Sequence, residues 1–446
     1  MTIKRRFSIV CSGAVLLLGC QKAEPLESRS MERFLTYDLN TYSAEALPSG
    51  GYVLQCMDRQ DGRLSFAQFL NNDGSIAGKI NYGALPRTID GLTFDDKSIL
   101  IQDLVPLANG NNAILGFGLD SLADGTVALH LLVYKVDRHG NPTAEPFRRL
   151  VTTDSYIQYA KSATDDTVAI LKPHVLGVEL VNNDLATAVL FKMRGAPKDS
   201  IALIRFPMGG SGLPTSKITI GPREGNMEGS ENRLWEFQSR EIASDQLVLL
   251  SGRNDPVLTE FDLGAENIAT TGSGRILGGA RMMSHFLAQD QNNMLAGGIV
   301  YRTTPTGSAA CPFFSTVADV SNLGDPDRYY FLDTLAPLNS PIQCFAGTWW
   351  NRYVALVTNT YRPEVSSFQL DFFTYFNDTE NDLGLLLVSP DDGRIIEQRT
   401  IVSGRGLRAL DLFNTNGHLV CIGVQNAFYN SGAKRTFLLE LKDPGQ

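Results

Sequence analysis

The sequence predicts an all-β fold assembled from repeated small sheets. Three observations predict it. Short apolar runs recur along the chain, separated by turns rich in Gly, Asn and Asp. Helical periodicity is nearly absent, with candidates lasting only a turn or two. The last set of runs is one strand short, while a strand-like segment near the start has no set of its own.

The first element along the chain stands outside that fold. Lys4, Arg5 and Arg6 give a basic start, and the 13 residues from Phe7 to Gly19 are mostly apolar and uncharged. That is the length and flank of a signal-peptide core. A membrane-spanning helix needs about 20 apolar residues, and Gln21, Lys22 and Glu24 follow at once. Leu17-Leu18-Gly19-Cys20 closes the run: a branched apolar residue, a tolerant position, a small residue and a cysteine. It resembles the lipobox of bacterial lipoproteins. The resemblance implies cleavage before Cys20, a diacylglyceryl group on its thiol that carries fatty acyl chains such as palmitate, and an acylated amine. Several acyl chains anchor stably where one binds marginally, at about 0.8 kcal/mol per buried CH₂. Cys11 lies inside the apolar run and lacks the small preceding residue. Gln21, where aspartate resembles an inner-membrane retention signal, points to the outer membrane. The expected organisation is a signal peptide at 1–19, a polar flexible tether at 20–31 and one β domain at 32–446.

The repeat follows the tether. In its first copy Ser49-Gly50-Gly51 leads into Tyr52-Val53-Leu54, then the run from Leu64 to Leu70, the turn Asn71-Asn72-Asp73-Gly74, and Ile76 onward. The second copy has Asn109-Gly110-Asn111-Asn112 before Ala113-Ile114-Leu115, then Leu131 to Val136 and the turn Asp137-Arg138-His139-Gly140. A later copy runs Leu385-Leu386-Leu387-Val388, Ser389-Pro390-Asp391-Asp392-Gly393, Ile395-Ile396. Asp-Gly and His-Gly pairs suit hairpins because glycine accepts the positive φ that such turns require. The intervening copies rest on weaker runs: Ala186 to Phe191, Leu247 to Leu250, and Met294 to Gly298.

Copies start near residues 46, 103, 175, 234, 281, 340 and 406. The last has three strands: Leu407–Leu412, Leu419–Val424 and Thr436–Leu441. Glu32 to Tyr37 can supply the fourth, closing a ring and leaving no frayed terminal sheet. The Gly-Gly-Tyr-Val-Leu strand and the segment from Phe69 to Ile76 resemble blades of bacterial surface β-propeller lipoproteins, a structural likeness that implies fold and no activity. The expectation is a β-propeller of seven blades. Six or eight blades, or an array of β-sandwiches, are the alternatives.

Composition narrows the function classes. The hydrophobic fraction of 43%, with 23 Phe and 14 Tyr, is ample for a large core. Cleavage after residue 19 removes three basic groups and no acidic ones, so the formal charge moves from −9 to −12. An acidic surface repels nucleic acid and anionic headgroups, so no nucleic-acid partner is expected and the acyl chains must hold the membrane unaided. Cys56, Cys311, Cys344 and Cys421 could pair in three ways in an oxidising compartment. For Cys56 and Cys421, set in apolar strands, buried free thiols are the competing reading.

Motifs with chemistry are scarce. Gly272-Ser273-Gly274 with Gly278 has the wrong spacing for a dinucleotide loop and reads as a turn between blades. Gly209-Gly210-Ser211-Gly212 is not a nucleophile elbow. His130, His139, His174, His285 and His418 show no metal-ligand spacing. The acid-rich stretches Asp58 to Gly62 and Asp378 to Asp382 do not match a calcium loop. No catalytic residue, metal or cofactor is expected. The most informative cluster is Trp349, Trp350, Arg352 and Tyr361, with Tyr353, Arg362 and the aromatic-rich stretch Ser366–Asp382 nearby. Aromatics and arginine carry energy at interfaces and stack on sugars, but alternating strands would also place such residues in the core.

The expected function is therefore a membrane-anchored envelope lipoprotein whose propeller binds or scaffolds a protein or glycan ligand. The alternative is a surface or periplasmic glycan hydrolase or lyase with paired carboxylates at the central channel. Asp103, Asp371 and Asp411 are its first candidates.

Overall fold

The computed structural model describes residues 31–58, 63–95, 98–122, 127–155, 158–161, 167–171, 174–181, 184–192, 199–207, 216–220, 238–243, 246–251, 257–262, 268–275, 282–290, 293–304, 307–317, 329–332, 342–361, 380–405, 407–415, 417–425 and 434–441. The expected signal peptide, Cys20 and most of the expected tether lie outside the described residues. No helix among the described residues is long and apolar enough to cross a membrane.

Strand β1 (Met31–Tyr37) comes first. Sheet 1 is β2 (Thr41–Ala46), β3 (Tyr52–Met57), β4 (Leu64–Leu70) and β5 (Ile76–Asn81). A 3₁₀ turn (Tyr82–Ala84) and a ribbon of β6 (Thr88–Ile89) and β7 (Leu92–Thr93) lead to sheet 2: β8 (Ile99–Pro106), β9 (Asn112–Ser121), β10 (Val127–Val136) and β11 (Phe147–Ser155). A second ribbon, β12 (Gln158–Lys161) and β13 (Thr167–Leu171), precedes sheet 3: β14 (His174–Val181), β15 (Asp184–Lys192), β16 (Asp199–Pro207) and β17 (Ser216–Ile220). Sheet 4 is β18 (Gln238–Ala243), β19 (Gln246–Ser251), β20 (Val257–Asp262) and β21 (Ala269–Arg275). Sheet 5 is β22 (Met282–Asp290), β23 (Asn293–Thr304), β24 (Gly307–Val317) and β25 (Tyr329–Phe331). Sheet 6 is β26 (Ile342–Trp350), β27 (Tyr353–Tyr361), β28 (Glu380–Val388) and β29 (Ile395–Arg405). Sheet 7 is β30 (Arg408–Thr415), β31 (His418–Gln425), β32 (Arg435–Leu441) and, as its fourth strand, β1.

Among the described residues there are thus seven four-stranded antiparallel sheets; six of the seven junctions between neighbours run from first strand to first strand, and sheets 1 and 2 meet through β4 and β8. β14 touches β8 and β18, β22 touches β18 and β26, and β30 touches β26 and β2. Sheets 1 and 2 share a core of Val53, Phe69, Leu104, Ile114, Leu132 and Tyr134. Radial antiparallel sheets with the first strand innermost make a β-propeller.

The sequence pattern follows from this geometry. A sheet lodged between two others buries both faces of its middle strands, so these read as continuous apolar runs. Val53 and Leu54 of β3 have no exposed surface although they point to opposite faces. The outer strand β5 is instead largely accessible, with only Ile80 buried. Leu115, Leu131, Val133, Val189 and Ile204 join sheet 2 to sheet 3. Val357, Leu385, Leu387, Leu419, Cys421 and Leu439 join sheet 6 to sheet 7. Each large apolar side chain so buried contributes roughly 1.5–3 kcal/mol.

Every innermost strand also breaks register once against its neighbour. The breaks fall at Thr41/Ser43, Ile101/Asp103, Val175/Gly177, Glu241/Ala243, Met282/Ser284, Cys344/Ala346 and Ala409/Asp411. An extra residue bends a strand and raises its local twist, which a strand near the ring axis needs. The residue after the break is Ser, Asp, Gly or Ala in all seven.

The ends of the chain close the ring. β1 pairs antiparallel with β32, Phe34 opposite Leu439 and Tyr37 opposite Thr436. Arg33 forms an ion pair with Glu440 and donates to the Asn72 carbonyl of sheet 1 at 2.7 Å. Tyr37 Oη donates to the Gly74 carbonyl at 2.7 Å. Gly74 has φ +76°, and a Cβ there would sit 2.2 Å from Leu35 Cδ1. Only glycine meets both demands.

Candidate functional site

Each sheet is a meander, which gives the ring two unlike faces. Hairpins joining first to second and third to fourth strands lie at one end of a sheet. Turns joining second to third strands, and the connections to the next sheet, lie at the other. Neighbouring sheets keep the same sense. The Trp350 Nε1–H, at the end of β26, donates to the Gly417 carbonyl in the β30–β31 hairpin at 2.9 Å. The β2–β3 and β8–β9 hairpins line one common cleft. On this hairpin face the first-to-second connections are short, spanning 47–51, 107–111, 351–352 and 416–417. The opposite face takes the long ones, such as 82–98 and 156–173.

The expected aromatic cluster is divided between these faces. Trp350 is 2% exposed and packs with Ala355, Val357 and Leu412; its indole is a wedge between sheets 6 and 7. Trp349 is half-buried against the core of sheets 5 and 6. Arg352 is exposed in the hairpin turn, its guanidinium 5.0 Å from the Tyr353 ring centroid and its Nε donating to Tyr353 Oη at 2.9 Å. Tyr361 ends β27 at the opposite face, some 26 Å away by strand rise. The four residues do not form one surface. Residues 362–379, with most of the aromatic stretch, lie outside the described residues.

Of the three candidate channel carboxylates, the two described ones are engaged in local hydrogen bonds. Asp103 and Asp411 both lie on innermost strands, directly after the register break. Each accepts the N–H of the following residue on Oδ1, Leu104 at 2.8 Å and Leu412 at 2.7 Å. Asp103 Oδ1 also accepts from Gln55 Nε2 at 2.7 Å, and Tyr82 Oη donates to Gln55 Oε1 at 3.5 Å. Burial pushes the Tyr82 phenol well up, and the charges of Asp103, Cys56 and Glu45 add to the shift. Sheet 1 stands between the sheets that carry Asp103 and Asp411. Asp371 lies outside the described residues. Among those described, no group of three or more His, Cys, Asp or Glu is placed to hold a metal.

Other candidates resolve into structure. His130 is buried, 3.2 Å from Arg148 Nη1 through Nδ1 and edge-on to Phe94. Cys56 and Cys421 are free and buried, so the pairing of all four cysteines does not occur. Burial pushes the Cys56 thiol up to about 12 against smaller opposing effects of Thr41 and Lys79, and burial likewise raises Cys421. Both are poor nucleophiles. Gly272-Ser273-Gly274 is not a turn: it lies within β21. Gly209 to Gly212 lie outside the described residues.

One cleft went unforeseen. Leu47, Phe69, Ala77, Leu107, Asn112 and Arg138 line a space of about 60 Å³ between sheets 1 and 2 on the hairpin face. Asn112 is 2% exposed and its Nδ2 has no partner. The space suits a few water molecules, which would satisfy that amide, and is too small for a sugar. The sequence signal was Asn112 closing an Asn-Gly-Asn-Asn turn, which reads simply as turn chemistry.

Comparison with known proteins identifies no family. No family model matches, and no curated protein matches. Among solved structures, Saccharomyces cerevisiae Sqt1 is similar over 93% of this chain and 99% of its own, with TM-score 0.47 and 9% identity. The exo-β-1,3-galactanase of Phanerochaete chrysosporium covers 64% of this chain and 63% of its own, with TM-score 0.33 and 11% identity. A Trypanosoma rangeli sialidase mutant displaying trans-sialidase activity covers 92% and 59%, with TM-score 0.33 and 8% identity. Scores this low carry no argument about activity. The sheets themselves define the class: a β-propeller closed by its terminal strands.

Proposed function

We propose that this chain is a lipid-anchored envelope protein, held on the outer membrane through Cys20, whose propeller is a binding or scaffolding module for a protein or glycan. The observation that carries this reading is the shared terminal sheet. With both ends of the folded chain locked into one sheet, the ring is a rigid frame, and its loops form broad faces on which binding residues are usually found. Asp103 and Asp411 on the inner strands support it too, because each accepts the N–H beside its register break and so holds the frame. The lipobox supports the anchor.

The enzyme reading retains one observation, the placement of Asp103 and Asp411 on innermost strands. Their hydrogen bonds to adjacent N–H groups suit a role in fixing the register breaks. Affinity capture of the acylated protein from its native envelope, followed by mass spectrometry, separates the readings. Recovery of one stoichiometric protein partner, or of an intact glycan, supports binding. A captured glycan that shortens with time, at a rate abolished by Asp103→Asn or Asp411→Asn, refutes it.

A further inference from the structure

We propose that the hairpin face of the ring is the side turned toward the bilayer, which leaves the face with the long connections pointing outward to partners. The inference rests on the acylation of Cys20 and adds an orientation to it. Met31, the first residue of β1, pairs with Leu441. Leu441 pairs with Leu419, and Leu419 with Asn414. This row crosses all four strands of sheet 7 at the end where the β30–β31 hairpin lies. The chain preceding Met31 therefore leaves the ring from its hairpin side.

Tether length makes that exit decisive. Cys20 precedes Met31 by eleven residues. Eleven residues reach at most about 38 Å. A strand as long as β27 (Tyr353–Tyr361) measures about 30 Å. Turning the ring over would use most of that reach along its rim, whereas the exit on the hairpin side leaves all of it free. The hairpins of that face carry charges of both signs, Asp73, Asp137 and Asp392 together with the exposed Arg138, Arg352 and Arg394. The 3₁₀ turn (Tyr82–Ala84) follows the end of β5 on the face turned outward.

Energy transfer tests the orientation. The full-length acylated protein is bound to phosphatidylethanolamine–phosphatidylglycerol vesicles bearing an acceptor dye on their headgroups. Donor dye is placed on the hairpin face through Ala108→Cys or His139→Cys, and on the opposite face through Ala84→Cys or Arg87→Cys. Labelling of the unsubstituted chain sets the background. Transfer at least about twofold stronger from the first pair is expected, because a strand length of roughly 25–30 Å separates the two sets. Vesicle-bound protein with equal or reversed transfer overturns the orientation and leaves the anchor standing. Protein that stays off the vesicles, with an intact mass lacking acyl groups, overturns the anchor and the orientation together.

Discussion

The hydroxyls of Thr41 and Thr436 lie 2.6 Å apart, although 395 residues separate them in the chain. Both residues are buried, 5% and 0% exposed. Thr436 Oγ1 also donates to the Leu39 carbonyl at 3.1 Å, and Thr41 Oγ1 lies 3.8 Å from Cys56 Sγ. These bonds fasten the first strand of sheet 1 to the third strand of sheet 7, inside the seam formed by Leu54, Leu70, Ile422 and Leu438. Thr436→Val keeps the shape and removes the hydroxyl, leaving buried partners unsatisfied. The expected loss is about 1–3 kcal/mol in urea unfolding. Thr41→Val with Thr436→Val should cost less than the sum of the single changes. Additive losses would show that the two hydroxyls act independently.

Trp350 and Arg352 sit two residues apart and should behave oppositely. Trp350→Ala empties a fully packed site between sheets 6 and 7 and removes the bond to Gly417, at a cost of about 3–5 kcal/mol. Arg352→Ala, on the surface, should change stability by no more than about 0.5 kcal/mol. Thermal and urea unfolding of both variants check the assignment. A mild Trp350→Ala phenotype would mean that the indole is not a wedge.

His130 should make the fold acid-sensitive. Burial lowers its pKa from 6.5, and the nearby Arg148 charge lowers it further, against an opposing contribution from Asp120. Arg148 can only donate, so the Nδ1 facing it must carry the lone pair. As pH falls through about 6.5 the unfolded chain takes up a proton that folded His130 refuses, so stability drops with falling pH and levels off below the folded pKa. His130→Gln should flatten this part of the profile between about pH 7 and 5. Unfolding midpoints across that range, compared between the two proteins, provide the check; parallel profiles would remove His130 from the account.

Much of the architecture was legible because propeller geometry writes itself into local sequence. Copies expected to start near 46, 103, 175, 234, 281, 340 and 406 correspond to sheets whose first strands begin at Thr41, Ile99, His174, Gln238, Met282, Ile342 and Arg408, although the first strand expected in the first copy, at Tyr52, is the second of its sheet. The Asp-Gly and His-Gly turns were readable because Gly74, Gly140 and Gly393 take φ of +76°, +86° and +68°. The unpaired run ending at Tyr37 pointed to closure because a three-stranded last sheet leaves an edge to cover. Long-range matters were not legible. Trp350 and Tyr361 are neighbours in sequence, yet an extended strand carries them to opposite faces. The glycines around Ser273 look like a turn, but neighbouring strands hold them in β21. The Ser/Asp/Gly/Ala position after each register break is a true repeat; it is a single small residue per sheet, invisible until the pairing reveals its phase.

Pairing of the chain's two ends is the central claim, and one covalent bridge tests it. Arg33 and Glu440 face each other across β1 and β32, and paired antiparallel strands bring Cα atoms to about 4.5–5.5 Å, within disulfide reach. Arg33→Cys with Glu440→Cys, oxidised in the folded state, should yield an intramolecular link between peptides containing residues 33 and 440, found by mass spectrometry, with the unfolding midpoint unchanged or raised. A chain that keeps its β-sheet signature yet forms no such link, or links only between molecules, would contradict a ring closed by its own ends.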